Sequence, residues 1–113
     1  MFDANIAGDK KNGTLTLRGD LGVNNMERIK DALLEVISRF KKITVKIEDL
    51  EHVDFTCFQL FCAAHKSCAA QKKSLEVTAP ADGSFYEILE YAGFAYTENN
   101  RYQARGFVLK EAV

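Results

Sequence analysis

The residue types best suited to chemistry gather in the middle of the chain: His52, Cys57, Cys62, His65 and Cys68. Cys62, His65 and Cys68 follow one another at steps of three, and sulfur and imidazole together suit a soft metal. On a helix, however, six positions climb about 9 Å at 1.5 Å per residue, too far for one ion to take all three. No C-x-x-C pair accompanies them. Packing is therefore the expected role of the cysteines, with His65 at the core edge and no metal. Cys57 is different, because it falls in the first turn of the same helix, where free N–H groups and the helix dipole lower a thiol pKa. If solvent reaches it, it is the best candidate for a reactive thiol; if not, it is an inert packed one. Acyl transfer by Cys57 with His52 or His65 needs an orienting group and an oxyanion hole, and the sequence announces neither. There is no G-x-S-x-G, phosphate-binding loop or dinucleotide fingerprint. Neither an enzyme nor a cofactor is expected.

The chain has 113 residues, 47% hydrophobic and 27% charged, with 15 basic residues against 16 acidic ones. By area scaling, a chain this long buries roughly two-thirds of its surface as one domain, 1–113, without a disulfide or metal. A net charge of −1 argues against nucleic acid or an anionic membrane as partner, since both need a surplus of Lys and Arg on one face. No basic start leads into an apolar run, and no stretch approaches the 18 or so apolar residues of a membrane span. A cytoplasmic protein is expected, and three clustered cysteines fit one without a disulfide framework.

These residues must be positioned by short periodic elements. Gly13 to Gly19 alternates with Leu15 and Leu17 inward and reads as a strand, with Asn5 to Ala7 as an edge strand across the loop Gly8 to Asn12. Asn24 with Glu27 makes a capping-box pattern ahead of a helix whose stripe is Ile29, Ala32, Leu33, Val36, Ile37 and Phe40. Ile43, Val45 and Ile47 form a β-branched interior strand. After a loop, Glu48 to His52, Thr56 with Gln59 makes a second capping box. It opens a helix from about Cys57 to Lys72, with Phe58, Phe61, Cys62, His65, Cys68 and Ala69 on one face. Ser74 to Thr78 is the next strand, Ser84 with Glu87 opens a third helix ending at Gly93, and Phe107 to Leu109 closes the chain as a last short strand.

This order and its spelling resemble the STAS domain, the module shared by anti-sigma factor antagonists and sulphate transporter tails. The segment Ile43 to Phe61 is similar to the family's strand, loop and Asp-Ser-(Ser/Thr/Ala)-Gly-Leu helix start. Ala70 to Val77, Glu90-Tyr91-Ala92-Gly93-Phe94 and Leu17-Arg18-Gly19-Asp20-Leu21 match its later helix ends and its Gly-x-Leu turn, so the likeness covers residues 13 to 94. It implies an α/β fold, with a mixed sheet of four to five strands and about three helices packed on it. It also implies a non-catalytic module that works by binding protein.

The departures from the pattern are informative. The family's phospho-acceptor, directly after the Asp, is Phe55 here; its helix-start glycine is Cys57, an Asp of the preceding strand is Lys46, and the Asp after Gly-x-Leu is Gly22. The usual phospho-switch is therefore not expected, unless the hydroxyl of Thr56 has taken it over. Thr56 as a cap has a complete structural explanation, worth about 1 kcal/mol. Phe55 either points into the core or stands outward as an aromatic hot spot. The resemblance places a partner on Asp54, Phe55, Thr56, Cys57 and Gln59 and on the nearby loop from Asp20 to Asn24. That partner is a switch kinase or anti-sigma factor, or another subunit of a sensory or transport complex, including a lipid-transport ATPase. The chain itself is a monomer or weak homodimer, and a thiol or metal sensor using Cys57, Cys62 and His65 is the rival from another class.

Overall fold

The computed structural model describes residues 1–80, 95–97, 101–104 and 107–112. Among them, seven strands form one sheet in the order β1-β2-β3-β4-β7-β6-β5, with two α-helices. The strands are β1 (Phe2–Gly8), β2 (Asn12–Leu21), β3 (Lys42–Val53), β4 (Ser74–Pro80), β5 (Ala95–Thr97), β6 (Arg101–Ala104) and β7 (Phe107–Ala112). The helices are α1 (Met26–Arg39), between β2 and β3, and α2 (Phe55–Ala70), between β3 and β4. β2, β3, β4 and β7 run parallel, while β1 at one end and the β5–β6 ladder at the other are antiparallel. This is the expected mixed α/β sheet, made wider than four to five strands by β5 and β6. The third helix expected over Ser84 to Gly93 lies outside the described residues.

One face of the sheet carries the core. Leu15, Leu17 and Leu21 of β2, Ile43, Val45, Ile47 and Val53 of β3, and Leu75, Val77 and Ala79 of β4 are buried, against Ile29, Leu33, Val36 and Ile37 of α1. From α2 come Cys57, Phe58, Phe61, Ala64 and Cys68. The steps of three and four on the helices and of two on the strands produce this division directly. The alternate residues Thr14, Thr16, Arg18, Thr44 and Glu48 are half-exposed on the opposite face, where Arg18 Nη2 donates to Glu48 Oε2 at 2.8 Å.

The expected loop Glu48 to His52 is instead the second half of β3. β2 advances from Arg18 to Asp20 while β3 advances from Glu48 to His52, after which Leu21 pairs with Val53. The extra β3 residues are taken up in a bulge where Asp49 has φ 47° and Gly19 has φ 89°. Glycine is required at position 19, because a Cβ there would lie 2.2 Å from the Met1 carbonyl oxygen. Bulges bend strands, and beyond this one the ladder resumes to the Leu21–Val53 pair at the strand ends that lead into the helices.

Candidate functional site

The carboxyl ends of β2 and β3 lead into two helix starts side by side. At the α2 start Asp54 is the N-cap, with extended backbone at φ −123° and ψ 174°. Its Oδ1 accepts from the Thr56 N–H at 3.1 Å and also from the Thr56 hydroxyl, while the Cys57 N–H donates to the Asp54 carbonyl at 3.1 Å. The helix therefore begins two residues before Cys57, and the cap is Asp54 rather than Thr56. The pattern Thr-x-x-Gln misleads because an aspartate already stands two positions earlier, at a position that favours it at least as well. Thr56 sits inside the first turn with its hydroxyl turned back to the cap, and Gln59 is exposed.

Phe55, the first helical residue, points outward and is 51% exposed. Cys57 and Phe58 turn the other way and are buried at 0% and 1%. Cys57 thus forms no part of the surface on which the resemblance placed it. Its thiol has its pKa pushed far up, first by desolvation and then by the negative charge of Asp54. The dipole of the helix start does not make it reactive, because burial opposes the thiolate more strongly. Cys68 is also buried and its pKa raised by desolvation, which Lys73 partly offsets. Cys62 and His65 are half-buried on α2. Among the described residues no three metal-ligating side chains come together.

The α1 start is built differently. A 3₁₀ turn, Val23–Asn25, precedes the helix, and no side chain caps either. Asn24 is exposed, so the expected Asn24–Glu27 box is not formed. Asn25 occupies the cap position, but its Nδ2 donates to the Asp20 carbonyl at 2.9 Å. Asp20 in turn accepts the Gly22 N–H on Oδ1 at 2.8 Å, and the Asn25 N–H donates to the Gly22 carbonyl at 3.0 Å. The loop is a closed set of polar contacts around Asp20. Gly22 is explained by its neighbour: a Cβ would meet His52 Cδ2 at 2.6 Å, and Asp20 and His52 are register partners. The imidazole stands where a side chain at position 22 would begin.

Between the two starts lies a groove of about 240 Å³ lined by Met26, Glu27 and Lys30 of α1 and Thr56, Gln59 and Leu60 of α2. The structure so brings Thr56 and Gln59 together with α1, while Asp54, Phe55 and the Asp20 to Asn24 loop sit at the same end of the sheet through the Leu21–Val53 pair. Met26, Lys30 and Leu60 were not foreseen at this surface; the 66% exposed Val23 falls within the expected Asp20 to Asn24 loop. The available signal was in α2, whose apolar residues run wider than one buried stripe and leave Leu60 only half-buried.

A protein-family model described as the Mlab, STAS domain matches residues 4–96. No curated protein sequence matches the chain. Among solved structures, an anti-sigma factor antagonist from Mycobacterium paratuberculosis superimposes with a TM-score of 0.70 at 9% identity, covering 81% of this chain and 79% of its own. The unphosphorylated anti-sigma factor antagonist SpoIIAA gives 0.66 at 16% identity, covering 82% and 81%. The Bacillus cell fate determinant SpoIIAA in its phosphorylated form gives 0.62 at 16% identity, covering 82% and 84%. At these identities the likeness is one of fold. Among the described residues no helix is long and apolar enough to cross a membrane.

Proposed function

Because this chain belongs to the STAS domain family, we propose that it is a non-catalytic regulatory module that works by docking a protein partner, without phosphorylation at the family's usual position. The observation that carries this reading is Phe55. In the resemblance it occupies the acceptor position, and in the structure it stands 51% exposed at the capped start of α2. An outward aromatic beside a groove edged by Met26 and Leu60 is the kind of anchor that dominates association energies. Asp54, Thr56, Gln59 and the Asp20 to Asn24 loop supply polar surroundings for it. Cys57 acts from behind, by packing.

The partner fitted by this reading is an anti-sigma factor or switch kinase, or a neighbouring subunit of a sensory or transport complex. A face with an aromatic in place of a phosphorylatable hydroxyl suits standing association better than a switch, which favours the complex subunit. The test is co-purification from the native host of the wild-type chain against Phe55→Ser, with circular dichroism to establish that the variant folds. A partner retained by the wild type and lost, by roughly tenfold or more in affinity, by Phe55→Ser is the expected result. Equal recovery would overturn the assignment of Phe55.

A phospho-switch moved to Thr56 is the second reading, favoured by one observation: its hydroxyl is exposed at the groove and lies against the Asp54 carboxylate. A kinase would transfer the γ-phosphoryl of ATP to Thr56 Oγ1, releasing ADP and the hydroxyl proton. The added charge of about −1.5 to −2 beside Asp54 would repel the partner. Intact mass after incubation with ATP and a switch kinase of the native host decides it: an added phosphoryl group of about 80 Da supports this reading, and an unchanged mass overturns it.

A further inference from the structure

The two edges of the sheet are unequal. At one end stands β5, three residues long; at the other stands β1, seven residues long, Phe-Asp-Ala-Asn-Ile-Ala-Gly. Among the described residues nothing pairs with the outer side of β1. Edge strands are ordinarily blunted by Lys, Pro or a bulge, because their free N–H and C=O groups recruit another strand. β1 has no Lys and no Pro, its one charge is Asp3, and it pairs with β2 one to one along its whole length without a bulge.

We propose, independently of the docking surface above, that β1 is the seam of a homodimer in which two copies of the chain join antiparallel, edge to edge. The sequence of β1 is self-complementary in one register. With Ala4 on the two-fold axis, Phe2 of one copy faces Ile6 of the other, an aromatic against a β-branched side chain, and Asp3 faces Asn5, so no like charges meet. Phe2 and Ile6 lie on the helix side, half-buried against the core, and Ala4 between them is exposed and small. The charges of α1 extend the match. Because β1 is antiparallel to β2 while α1 returns from β2 to the parallel β3, α1 runs in the direction of β1. The Arg28 guanidinium lies 4.8 Å above the Phe2 ring, and a recess of about 320 Å³ between the two elements is lined by Ala4, Ile6, Asp31, Ala32, Glu35 and Arg39. With the axis at Ala4, Ala32 falls near it and Arg28 of each copy is directed toward Glu35 of the other, which its own chain holds only by an exposed pair with Arg39 at 3.3 Å. α2 packs on the β4 side, so the seam leaves both α2 starts free and makes the assembly bivalent.

Sedimentation of the full chain over a concentration series tests this. The expected result is a monomer–dimer equilibrium. Ala4→Lys, which sets two ammonium groups against each other at the axis, weakens it at least about tenfold. Circular dichroism establishes that this exposed substitution leaves the fold intact. Arg28→Glu alone also weakens the dimer, and Arg28→Glu combined with Glu35→Arg restores it. Ala4→Cys gives a disulfide dimer under mild oxidation, because residues facing across an antiparallel pair have Cα atoms about 4.5–5.5 Å apart. Peptide mapping places that link at position 4 in both copies. A monomer at every concentration up to roughly 500 µM, or a dimer unmoved by Ala4→Lys, overturns the proposal. Phe55→Ser leaves the dimer mass unchanged, so failure here is distinguishable from failure of the docking assignment.

Discussion

The starts of α1 and α2 lie beside one another, leave neighbouring parallel strands and share a groove, yet they hold their backbones in different ways. α2 spends a charged side chain on the problem: Asp54 accepts from the Thr56 amide and hydroxyl, and Cys57 and Phe58 lock the turn into the core. α1 has no side-chain cap, enters through the Val23–Asn25 turn, and uses Asn25 and Asp20 to fasten the loop before it. The difference teaches where order comes from at each. A capped start with buried residues behind it is a rigid platform, suited to presenting Phe55. A start held by loop contacts depends on the strand ends that deliver it, and so on the bulge at Gly19 and Asp49.

The largest expected effect removes the common support of both starts. Gly19→Ala places a Cβ at a φ of 89° and 2.2 Å from the Met1 carbonyl oxygen, so the bulge must shift. A loss of about 2–3 kcal/mol is expected in urea denaturation. The same substitution at Gly13 would test only packing, because its Cβ would meet the Phe40 ring rather than an unfavourable φ. A Gly19→Ala chain as stable as the wild type would mean that the strand ends do not rest on the bulge.

The next effect separates the two starts by pH, since only α2 carries a buried titratable group there. The Cys57 thiol has its pKa raised in the folded state, by burial first and Asp54 second. Below about pH 8.5 both folded and unfolded thiols hold their protons, and the group contributes no pH dependence. Above it the unfolded thiol ionises while the folded one does not, so the unfolded state binds fewer protons and stability falls as pH rises. The expected slope is about 1.4 kcal/mol per pH unit for Cys57, with a further share from Cys68, whose pKa burial also raises. Cys57→Ala should flatten the curve between roughly pH 9 and 10 to the share left by Cys68. An unchanged slope would place Cys57 in contact with water.

How much of this was legible follows from the kind of force at work. The regular halves of β2 and β3 and the buried stripe of α1 could be read, because burial writes itself into period two and period 3.6, as at Leu15, Leu17, Ile29, Leu33 and Val36. The second half of β3 could not, since Glu48 to His52 is polar but for Leu50 and its pairing depends on a bulge that only Gly19 hints at. The helix starts were found within a residue or two, but their caps were misassigned, because more than one side chain near each start has the right chemistry, Asp54 and Thr56 at α2 and Asp20, Asn24 and Asn25 at α1, and tertiary contacts choose among them. Asn25, for example, is drawn away to the Asp20 carbonyl. The outward turn of Phe55 was one of two open readings; Cys57 and Phe58 take the core side and leave Phe55 the other.

The smallest effects sharpen the contrast most directly, because they touch one cap at a time. Asp54→Ala removes the acceptor of the Thr56 amide and hydroxyl and is expected to cost about 1 kcal/mol, while Asp54→Asn, which can still accept, recovers most of it. Asn24→Ala removes an exposed side chain that caps nothing and should fall within about 0.5 kcal/mol of the wild type. Measured side by side in urea, the two substitutions ask whether a start is held by its own cap or by its loop. If Asn24→Ala cost as much as Asp54→Ala, the capping box written in the sequence would be formed in solution. α1 would then present a start as rigid as that of α2, and the docking surface would have two platforms in place of one.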